Sequence, residues 1–295
     1  MKIDDFARWV RARQDDVERA LERWVPAGAP AELGLVMRYA VLDGGKRLRP
    51  LLVMAAAEAV GGDLDAALRA AVAVELIHAY SLVHDDMPCM DNDVLRRGKP
   101  TVHVKYGEAQ AMLAGDAMQA LAFDVLTPDE GLAPELMARL VRMLARASGH
   151  DGMAGGQAID LASVGRCLDE AALRDMHRRK TGVLLQASVM MGAACGPAST
   201  AALAALSDYG AAVGLAFQVV DDVLDVTQAS EVLGKTAGKD VDQNKPTFVS
   251  LLGLEQAQRY ALDLRDQAHA ALARSGLGQA AYLACLADKI VERDN

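Results

Sequence analysis

The sequence has few aromatic residues, few cysteines and no excess of positive charge, and each shortage argues against a class of protein. Aromatics make up only 4% of the 295 residues, so the core must be built mainly from aliphatic side chains, with helix-favouring Ala prominent. The four cysteines form no CxxC pair, which argues against a zinc site or a disulfide framework and favours a reducing compartment. The formal net charge of −9, without any basic run, argues against a nucleic-acid partner.

No segment has the pattern of a targeting or membrane-spanning sequence. The amino-terminal MKIDDFARWV carries charge from its second residue and lacks the apolar centre of a signal peptide. Residues 201–220 are apolar and long enough to span a bilayer, but they include Ser207 and Asp208 and lead directly into Asp221 and Asp222. We interpret this stretch as a buried core helix, and we expect a cytoplasmic protein with no integral membrane segment.

Apolar segments of helical length fill the chain, and short breaks rich in glycine or proline separate them, without strand-like alternation. One predicted break is the stretch 149–156. Asp63 and Ser199 are placed to cap two of the helices, which would run to about Asp86 and about Thr227. No linker is long enough to separate two domains. The sequence therefore predicts an all-α protein in which residues 1–295 form a single domain.

A first acidic cluster, HDDMPCMDND, follows one of these apolar helices and contains Asp85, Asp86, Asp91 and Asp93. Asp85 and Asp91 would lie about 120° apart on a continuous helix, but Pro88 removes a helical hydrogen bond and loosens the turn. A loosened turn lets both carboxylates reach one cation. A lone DD pair would indicate only a solvated helix end, and an EF-hand is excluded because the following DNDVLRRG lacks its ligands.

A second acidic cluster, QVVDDVLD, lies late in another apolar helix. Counted from Gln218, the residues Asp221, Asp222 and Asp225 fall within an arc of about 100° on an ideal helix. Carboxylates crowded in this way repel one another unless a multivalent cation neutralises them, and such oxygen ligands suit magnesium. An acidic surface helix is the alternative, which the apolar sequence upstream weakens. Two clusters in one chain favour a metal-bridged phosphate site.

Candidate phosphate donors recur close to both clusters. Arginine offers a planar fork for phosphate oxygens, and lysine offers a mobile point charge. The candidates are Lys46, Arg47 and Arg49 in GGKRLRP, then Arg96 and Arg97, then Lys180 with Thr181, and finally Lys235 and Lys239. His78 lies two helical turns before Asp85 on nearly the same face, so it is either a core histidine or a substrate contact.

From about Leu35 to Thr247 the chain resembles the trans-prenyl diphosphate synthases, and most closely the short-chain bacterial farnesyl diphosphate synthases. The resemblance rests on five motifs in the same chain order: GGKRLRP, ELIHAYSLVHDDMPCMDNDVLRRGKPTVH, KTG, FQVVDDVLD and GKTAGKD. It implies a single-domain, all-α bundle of the isoprenoid synthase type, with roughly a dozen helices around a deep apolar cavity. It also implies a homodimer.

The resemblance assigns a role to each matching position. About three Mg²⁺ ions per site would be bound through Asp85, Asp86, Asp91, Asp221 and Asp225. The allylic diphosphate would contact Arg96, Lys180, Thr181, Gln218 and Lys235. Isopentenyl diphosphate would contact Lys46, Arg49, His78 and Arg97. The residues expected to carry catalysis are Asp85, Asp91, Asp221, Lys180 and Lys235.

The implied reaction joins isopentenyl diphosphate head to tail with dimethylallyl or geranyl diphosphate to give farnesyl diphosphate. Tyr80 and Ser81, just before the first motif, would limit the length of the product. On an ideal helix Ser81 lies about 40° from Asp85 and Tyr80 about 140°, so geometry supports only Ser81 facing the cavity. A bulky residue at Tyr80 is typical of the bacterial farnesyl-forming type. Geranylgeranyl or geranyl diphosphate synthases are the alternative readings.

Three proteins of other kinds share part of this pattern. A class I terpene cyclase has a similar first motif, but it has little use for GGKRLRP and normally lacks a DDVLD motif. A non-catalytic partner subunit of a larger synthase tends to lose an aspartate motif, and both are present here. A metal-dependent diphosphate hydrolase would not need two separate diphosphate sites.

Overall fold

The computed structural model describes residues 3–42, 44–166, 168–227 and 246–293, and these fold almost entirely into helices. The predicted all-α architecture is therefore confirmed. The helices are α1 (Ile3–Trp24), α2 (Leu33–Val41), α3 (Leu48–Ala59), α4 (Leu64–Asp85), α5 (Val102–Tyr106), α6 (Glu108–Val125), α7 (Pro134–Ser148), α8 (Met153–Ser163), α9 (Glu170–His177), α10 (Val183–Ala194), α11 (Thr200–Thr227), α12 (Phe248–Leu252), α13 (Leu254–Ser275) and α14 (Ala281–Val291). A short 3-10 turn (Pro30–Glu32) precedes α2, and a small antiparallel hairpin pairs β1 (Leu95–Arg96) with β2 (Lys99–Pro100).

The core is one cluster of mainly aliphatic side chains that extends from α1 to α14. Helices α4 and α11 are its central members, and both are apolar and long enough to cross a membrane by length and composition alone. In the most apolar part of α4, 67% of the residues are buried inside the protein, and in α11 the figure is 56%. Their apolar character is therefore explained by packing, as expected for core helices.

Both predicted helix caps are confirmed. The Asp63 carboxylate accepts the backbone N–H groups of Asp65 (2.8 Å) and Ala66 (3.2 Å) at the start of α4. The Ser199 hydroxyl oxygen accepts the N–H of Ala202 (3.1 Å) at the start of α11. These side chains satisfy backbone donors that have no partner in the first turn of a helix. They fix where the two motif-bearing helices begin.

The predicted break over residues 149–156 is wrong in its second half, because α8 begins at Met153. Glycine is needed there for a tertiary reason. A Cβ atom on Gly156 would lie 2.1 Å from the backbone nitrogen of Lys180, so no larger residue fits between these two segments. Glycine in this position marks close packing of two backbones and does not end the helix.

A single turn of π-helix, Arg178–Gly182, joins α9 to α10 and contains the KTG motif. Helix α8 packs against this turn. Helix α11 also packs against it, and a Cβ atom on Gly214 would come within 2.8 Å of the Gly182 Cα. Such π-turns are rare and frequently occur at functional sites. The tight packing fixes the positions of Lys180 and Thr181.

The GGKRLRP segment is pinned to the core by Arg47. Its buried guanidinium donates to Glu18 (2.6 Å), to Glu75 (2.8 Å) and to the carbonyl oxygen of Val41 (2.6 Å). Removing one partner of a buried ion pair costs about 3–5 kcal/mol, because the other charge stays buried and unpaired. Arg47 therefore supports the start of α3, and this role accounts for its charge without a substrate.

Candidate active site

The first acidic motif folds back on itself, as the sequence predicts from Pro88. Helix α4 ends at Asp85, and the N–H of Asp91 donates to the Asp85 carbonyl oxygen (2.8 Å). The N–H of Asp93 donates in the same way to Asp86 (3.1 Å). Burial raises the pKa of Asp85 to about 6; the charge of Lys180 opposes this rise and that of Asp91 adds to it. The fold therefore brings Asp91 and Lys180 close to Asp85.

Asp86 and Arg96 form an ion pair with each other. The Nε of Arg96 lies 2.9 Å from both carboxylate oxygens of Asp86, and its Nη2 lies 2.6 Å from Oδ1. Asp86 is buried, which raises its pKa, while the bond from Arg96 lowers it. The sequence assigned Asp86 to a metal and Arg96 to a diphosphate. In this structure the pair ties the first motif to the β1–β2 hairpin.

The second acidic motif lies on the last two turns of α11, where the three aspartates have different environments. The side chain of Asp221 is 38% exposed, whereas Asp222 and Asp225 are buried. Arg293, two residues beyond the end of α14, forms an ion pair with Asp221 and donates to the carbonyl oxygen of Phe217 (2.8 Å). Its guanidinium also lies 4.0 Å from the centre of the Phe217 ring. A cation from the carboxyl-terminal end thus neutralises Asp221.

The π-turn lies close to residues of both motifs. Lys180 lies close enough to Asp85 to oppose the rise in its pKa, and its Nζ contacts Asp160 at 2.5 Å. The Thr181 hydroxyl donates to the side-chain oxygen of Gln218 (3.1 Å), one helical turn before Asp221. The two motifs are therefore linked through neighbouring residues of one short turn.

A group of cations and a neutral histidine lies beside the motifs. Burial lowers the pKa of Arg49 to about 10, Asp221 and Glu75 oppose this change, and the Arg49 Nε has no hydrogen-bond partner among the described residues. Burial, and then the charges of Arg49 and Arg97, hold the pKa of His78 well below its usual value. A buried guanidinium with an open N–H, next to an uncharged imidazole, is suited to binding an anion.

Lys46 and Arg97 complete this cationic group. Burial, followed by the nearby charge of Arg293, lowers the pKa of Lys46, and Asp221 acts in the opposite direction. Arg97 donates to the carbonyl oxygen of Gly44 (2.9 Å), which places it against the GGKRLRP segment. The predicted isopentenyl site and the second acidic motif therefore lie within one electrostatic environment. The remaining candidates, Lys235 and Lys239, lie outside the described residues.

Two residues of this region escaped the sequence analysis. Asp160 contacts Lys180, and Gln157 lies one turn before it on α8. Both side-chain amide atoms of Gln157 are buried without a hydrogen-bond partner among the described residues, an arrangement that fits a polar ligand. The sequence pattern that could have indicated them is the polar QxxD pair within an otherwise apolar segment. The glycines next to this pair led instead to the prediction of a break between helices.

The aspartates of the two motifs are better suited to magnesium than to a metal ion whose ligands all come from the protein. Across the part of the chain that the structure describes, no point gathers three or more His, Cys, Asp or Glu side chains in the manner of a closed metal site. Magnesium usually binds through one or two carboxylates and keeps water or phosphate oxygens as its other ligands. Asp85, Asp91 and Asp221 suit that incomplete shell.

The family model for polyprenyl synthetases matches residues 30–275. The chain belongs to this family. Among curated polyprenyl synthetase relatives, geranylgeranyl pyrophosphate synthase 3 from Arabidopsis thaliana, a chloroplast protein, is 47% identical over 99% of this chain and 82% of its own length. Together these matches show a prenyl diphosphate synthase.

Solved structures of the family agree in fold. An FPP/GFPP synthase from Zymomonas mobilis is 42% identical, with a TM-score of 0.87 over 97% of this chain and 99% of that one. A geranyltransferase from Helicobacter pylori, complexed with magnesium and isoprenyl diphosphate, is 33% identical, with a TM-score of 0.85 over 96% of this chain and 98% of that one. The fold of this polyprenyl synthetase is therefore the isoprenoid synthase fold that the sequence predicted.

The ion pair between Arg293 and Asp221 leads to a testable prediction about cations. If Asp221 binds a divalent ion, Arg293→Ala should tighten the binding of Mn²⁺ severalfold, since a partly exposed ion pair is worth up to about 1 kcal/mol. Free Mn²⁺ can be measured by electron paramagnetic resonance during a titration. Arg274→Ala is the matched control, because Arg274 pairs with Asp208 on the surface at 2.9 Å. Unchanged or weaker Mn²⁺ binding by Arg293→Ala would contradict the prediction.

Proposed function

We propose that this prenyl diphosphate synthase condenses isopentenyl diphosphate with dimethylallyl and then geranyl diphosphate, and that farnesyl diphosphate is its main product. The observation that carries the proposal is the position of a separate cationic group beside two aspartate motifs. Arg49 belongs to that group, and it lies near enough to Asp221 for the carboxylate to oppose the lowering of its pKa by burial. An enzyme that joins two diphosphate esters needs two adjacent anion sites, and only one of them lies on the acidic motifs.

Asp85, Asp91 and Asp221 would hold Mg²⁺, with Asp86 and Asp225 beside them. When bound, Mg²⁺ supplies a Lewis acid that neutralises charge on the departing diphosphate. The magnesium and isoprenyl diphosphate in the Helicobacter pylori relative support this assignment. Asp86 already pairs with Arg96, so we propose that it mainly orients the first motif.

The allylic diphosphate would lie against the π-turn. Lys180 lies close to Asp85 and is held by Asp160, so its ammonium group is aimed before substrate arrives. Thr181 and Gln218 extend the polar surface toward Asp221. Preorganised cations of this kind stabilise the charge that develops as the allylic C–O bond breaks. By resemblance, Arg96 and Lys235 would assist.

Isopentenyl diphosphate would bind to Lys46, Arg49, His78 and Arg97. The Nε–H of Arg49 has no hydrogen-bond partner among the described residues and would be available as a donor to the diphosphate. Burial, and then the charges of Arg49 and Arg97, lower the pKa of His78, which favours the neutral ring with a single N–H donor. As the isopentenyl double bond attacks the allylic carbon, a C–C bond forms and one proton is lost. The released diphosphate would accept that proton.

Removing the charge of one aspartate in either acidic motif should strongly slow condensation. We expect Asp85→Asn and Asp221→Asn to lower kcat/KM at least about a hundredfold, because charge on the leaving group loses its counter-charge. The assay supplies dimethylallyl and isopentenyl diphosphates together and separately and follows product by mass spectrometry. Asp263→Asn, at an exposed position on α13, is the control. Near-normal condensation by both variants would defeat the proposal. A cyclised product would indicate a terpene cyclase, and release of diphosphate from one substrate alone would indicate a hydrolase. Complete inactivity of the unaltered protein would indicate a non-catalytic partner subunit.

Product length depends on the wall below the first motif. Tyr80 is buried between α4 and α6, with its ring edge against His84 (5.7 Å between centroids) and its hydroxyl 3.5 Å from Gln119. Ser81 is only half-buried and donates to the His78 carbonyl oxygen (2.9 Å). We propose that the bulk of Tyr80 limits the product to fifteen carbons. The second candidate is a twenty-carbon product, which the identity to geranylgeranyl synthases favours.

Removing the bulk at Tyr80 tests the two candidates. Tyr80→Ala should shift the main product from farnesyl to geranylgeranyl diphosphate, because space opens between α4 and α6. Mass spectrometry of the dephosphorylated products gives the ratio. Tyr282→Ala is the control, because it removes a tyrosine of α14 that stacks on Trp9. It should leave the ratio of farnesyl to geranylgeranyl product unchanged. A mainly twenty-carbon product from the unaltered protein would reject the farnesyl assignment.

We also propose a homodimer formed through α5 and α6. Three large apolar side chains on these neighbouring helices are exposed, namely Val104, Met112 and Leu113. An exposed apolar surface of this kind is typical of a protein–protein contact. The family resemblance implies that a second copy of this chain covers this surface. The cytoplasmic location expected from the sequence stays a prediction.

A charge placed in this surface should disrupt the dimer. Light scattering should show the unaltered protein at twice the chain mass of 31.3 kDa and Leu113→Glu at the mass of one chain. Leu262→Glu, at a comparably exposed apolar position on α13, should remain dimeric. A monomeric unaltered protein, or a dimer that survives Leu113→Glu, would show that α6 does not form the contact.

A further inference from the structure

Asp221 and Asp222 are adjacent in the second motif, yet their carboxylates have different environments. Asp221 is partly exposed and faces Arg293. Asp222 is only 2% exposed, and both of its oxygens accept hydrogen bonds from the protein. Its Oδ1 accepts from the side-chain nitrogen of Gln218 (2.9 Å), and its Oδ2 accepts the backbone N–H of Phe248 (2.7 Å). Asp222 is therefore held within the protein interior, whereas Asp221 remains partly open to solvent.

The first of these bonds fixes the orientation of the Gln218 amide. An ionised carboxylate can only accept hydrogen bonds, so the NH₂ group of Gln218 must face Asp222. The amide oxygen of Gln218 then faces the π-turn, where it accepts the hydroxyl proton of Thr181 (3.1 Å). The charge of Asp222 thus determines, through one amide, which way the hydroxyl beside Lys180 points.

The second bond anchors the first turn of α12. Phe248 is fully buried, and its ring stacks on His177 (5.4 Å between centroids) at the end of α9. The His177 Nε2 lies 3.9 Å from the Asp222 Oδ2, beyond hydrogen-bond distance. Burial lowers the pKa of His177 to about 4, so its ring is neutral and packs without a salt bridge. Asp222 therefore joins α11 to α12, and Phe248 packs α12 against the end of α9.

We propose that Asp222 is a positioning residue for the allylic diphosphate site and that it does not bind metal. The identity of the substrate rests on the proposed function. The positioning role itself is inferred from the hydrogen bonds that run from Phe248 through Asp222 and Gln218 to Thr181. Losing the charge at Asp222 frees the Gln218 amide to rotate. The Thr181 hydroxyl then loses its fixed acceptor, next to the lysine that contacts the substrate.

A polarity swap tests this chain. In Asp222→Asn, an NH₂ group meets the Gln218 amide, and in Gln218→Glu two carboxylates face each other. The double variant exchanges the two roles. The new carboxylate at position 218 accepts from the Thr181 hydroxyl and from the new amide at position 222, whose oxygen still accepts the N–H of Phe248.

The expected effect lies in substrate binding at the allylic site. Asp222→Asn should raise KM for the allylic diphosphate about tenfold, the effect of one broken buried hydrogen bond, with KM for isopentenyl diphosphate unchanged. The double variant should recover most of the loss, because the two positions form one coupled pair.

Asp221→Asn is the matched control for metal binding, since it makes the same change one residue earlier. Asp221→Asn should raise the Mg²⁺ concentration needed for half-maximal activity, whereas Asp222→Asn should leave it unchanged. A higher Mg²⁺ requirement for Asp222→Asn, with no recovery in the double variant, would overturn the proposal. If the unaltered protein does not condense the substrates, the proposed function fails instead. Thermal unfolding then tests the hydrogen-bond chain by itself, in the unaltered protein, the two single variants and the double variant. We expect the double variant to recover the melting temperature that the single variants lose. A double variant without this recovery would contradict the proposal.

Discussion

The structure depends on the cost of burying charge at the ends of apolar helices. A buried carboxylate or guanidinium is tolerated only with a partner. Arg47 meets Glu75, Arg96 meets Asp86, and Lys180 meets Asp160. These pairs do more than cancel charge. Arg47 and Arg96 tie their segments to α4 and to the motif that follows it, and Lys180 ties the π-turn to α8.

Beside these internal pairs, two groups of the candidate site and of the helix against the π-turn keep unused hydrogen-bonding capacity. Arg49 retains an open N–H, and the Gln157 amide is buried without a partner among the described residues. Asp221 is compensated by a residue near the carboxyl-terminal end of the chain. A site that binds two diphosphate esters and expels diphosphate from one of them benefits from this division. Fixed pairs hold the geometry, and a few unsatisfied groups contribute their energy only when the ligand is present.

Close packing of backbone segments supplies the precision that flexible lysines and threonines lack by themselves. Gly156 and Gly214 allow α8 and α11 to approach the π-turn more closely than any side chain would permit. The turn therefore cannot shift without moving two core helices. This rigidity gives the short motif KTG its value: Lys180 and Thr181 occupy defined positions relative to both acidic motifs before substrate binds.

The sequence by itself determined the features that depend on neighbouring residues. Asp63 and Ser199 cap helices because a side-chain oxygen next to the first turn suffices, and Pro88 loosens the turn that brings Asp91 back to Asp85. The motif order was enough to indicate the family. Ideal-helix geometry, however, places the three aspartates of α11 on one face. It does not predict that Asp221 is partly exposed whereas Asp222 is buried. That difference arises because α12 covers one carboxylate, and packing between distant segments is not encoded in a local spacing. The Arg293–Asp221 and Lys180–Asp160 pairs, and the helical role of Gly156, were likewise decided only when the tertiary structure brought remote parts of the chain together.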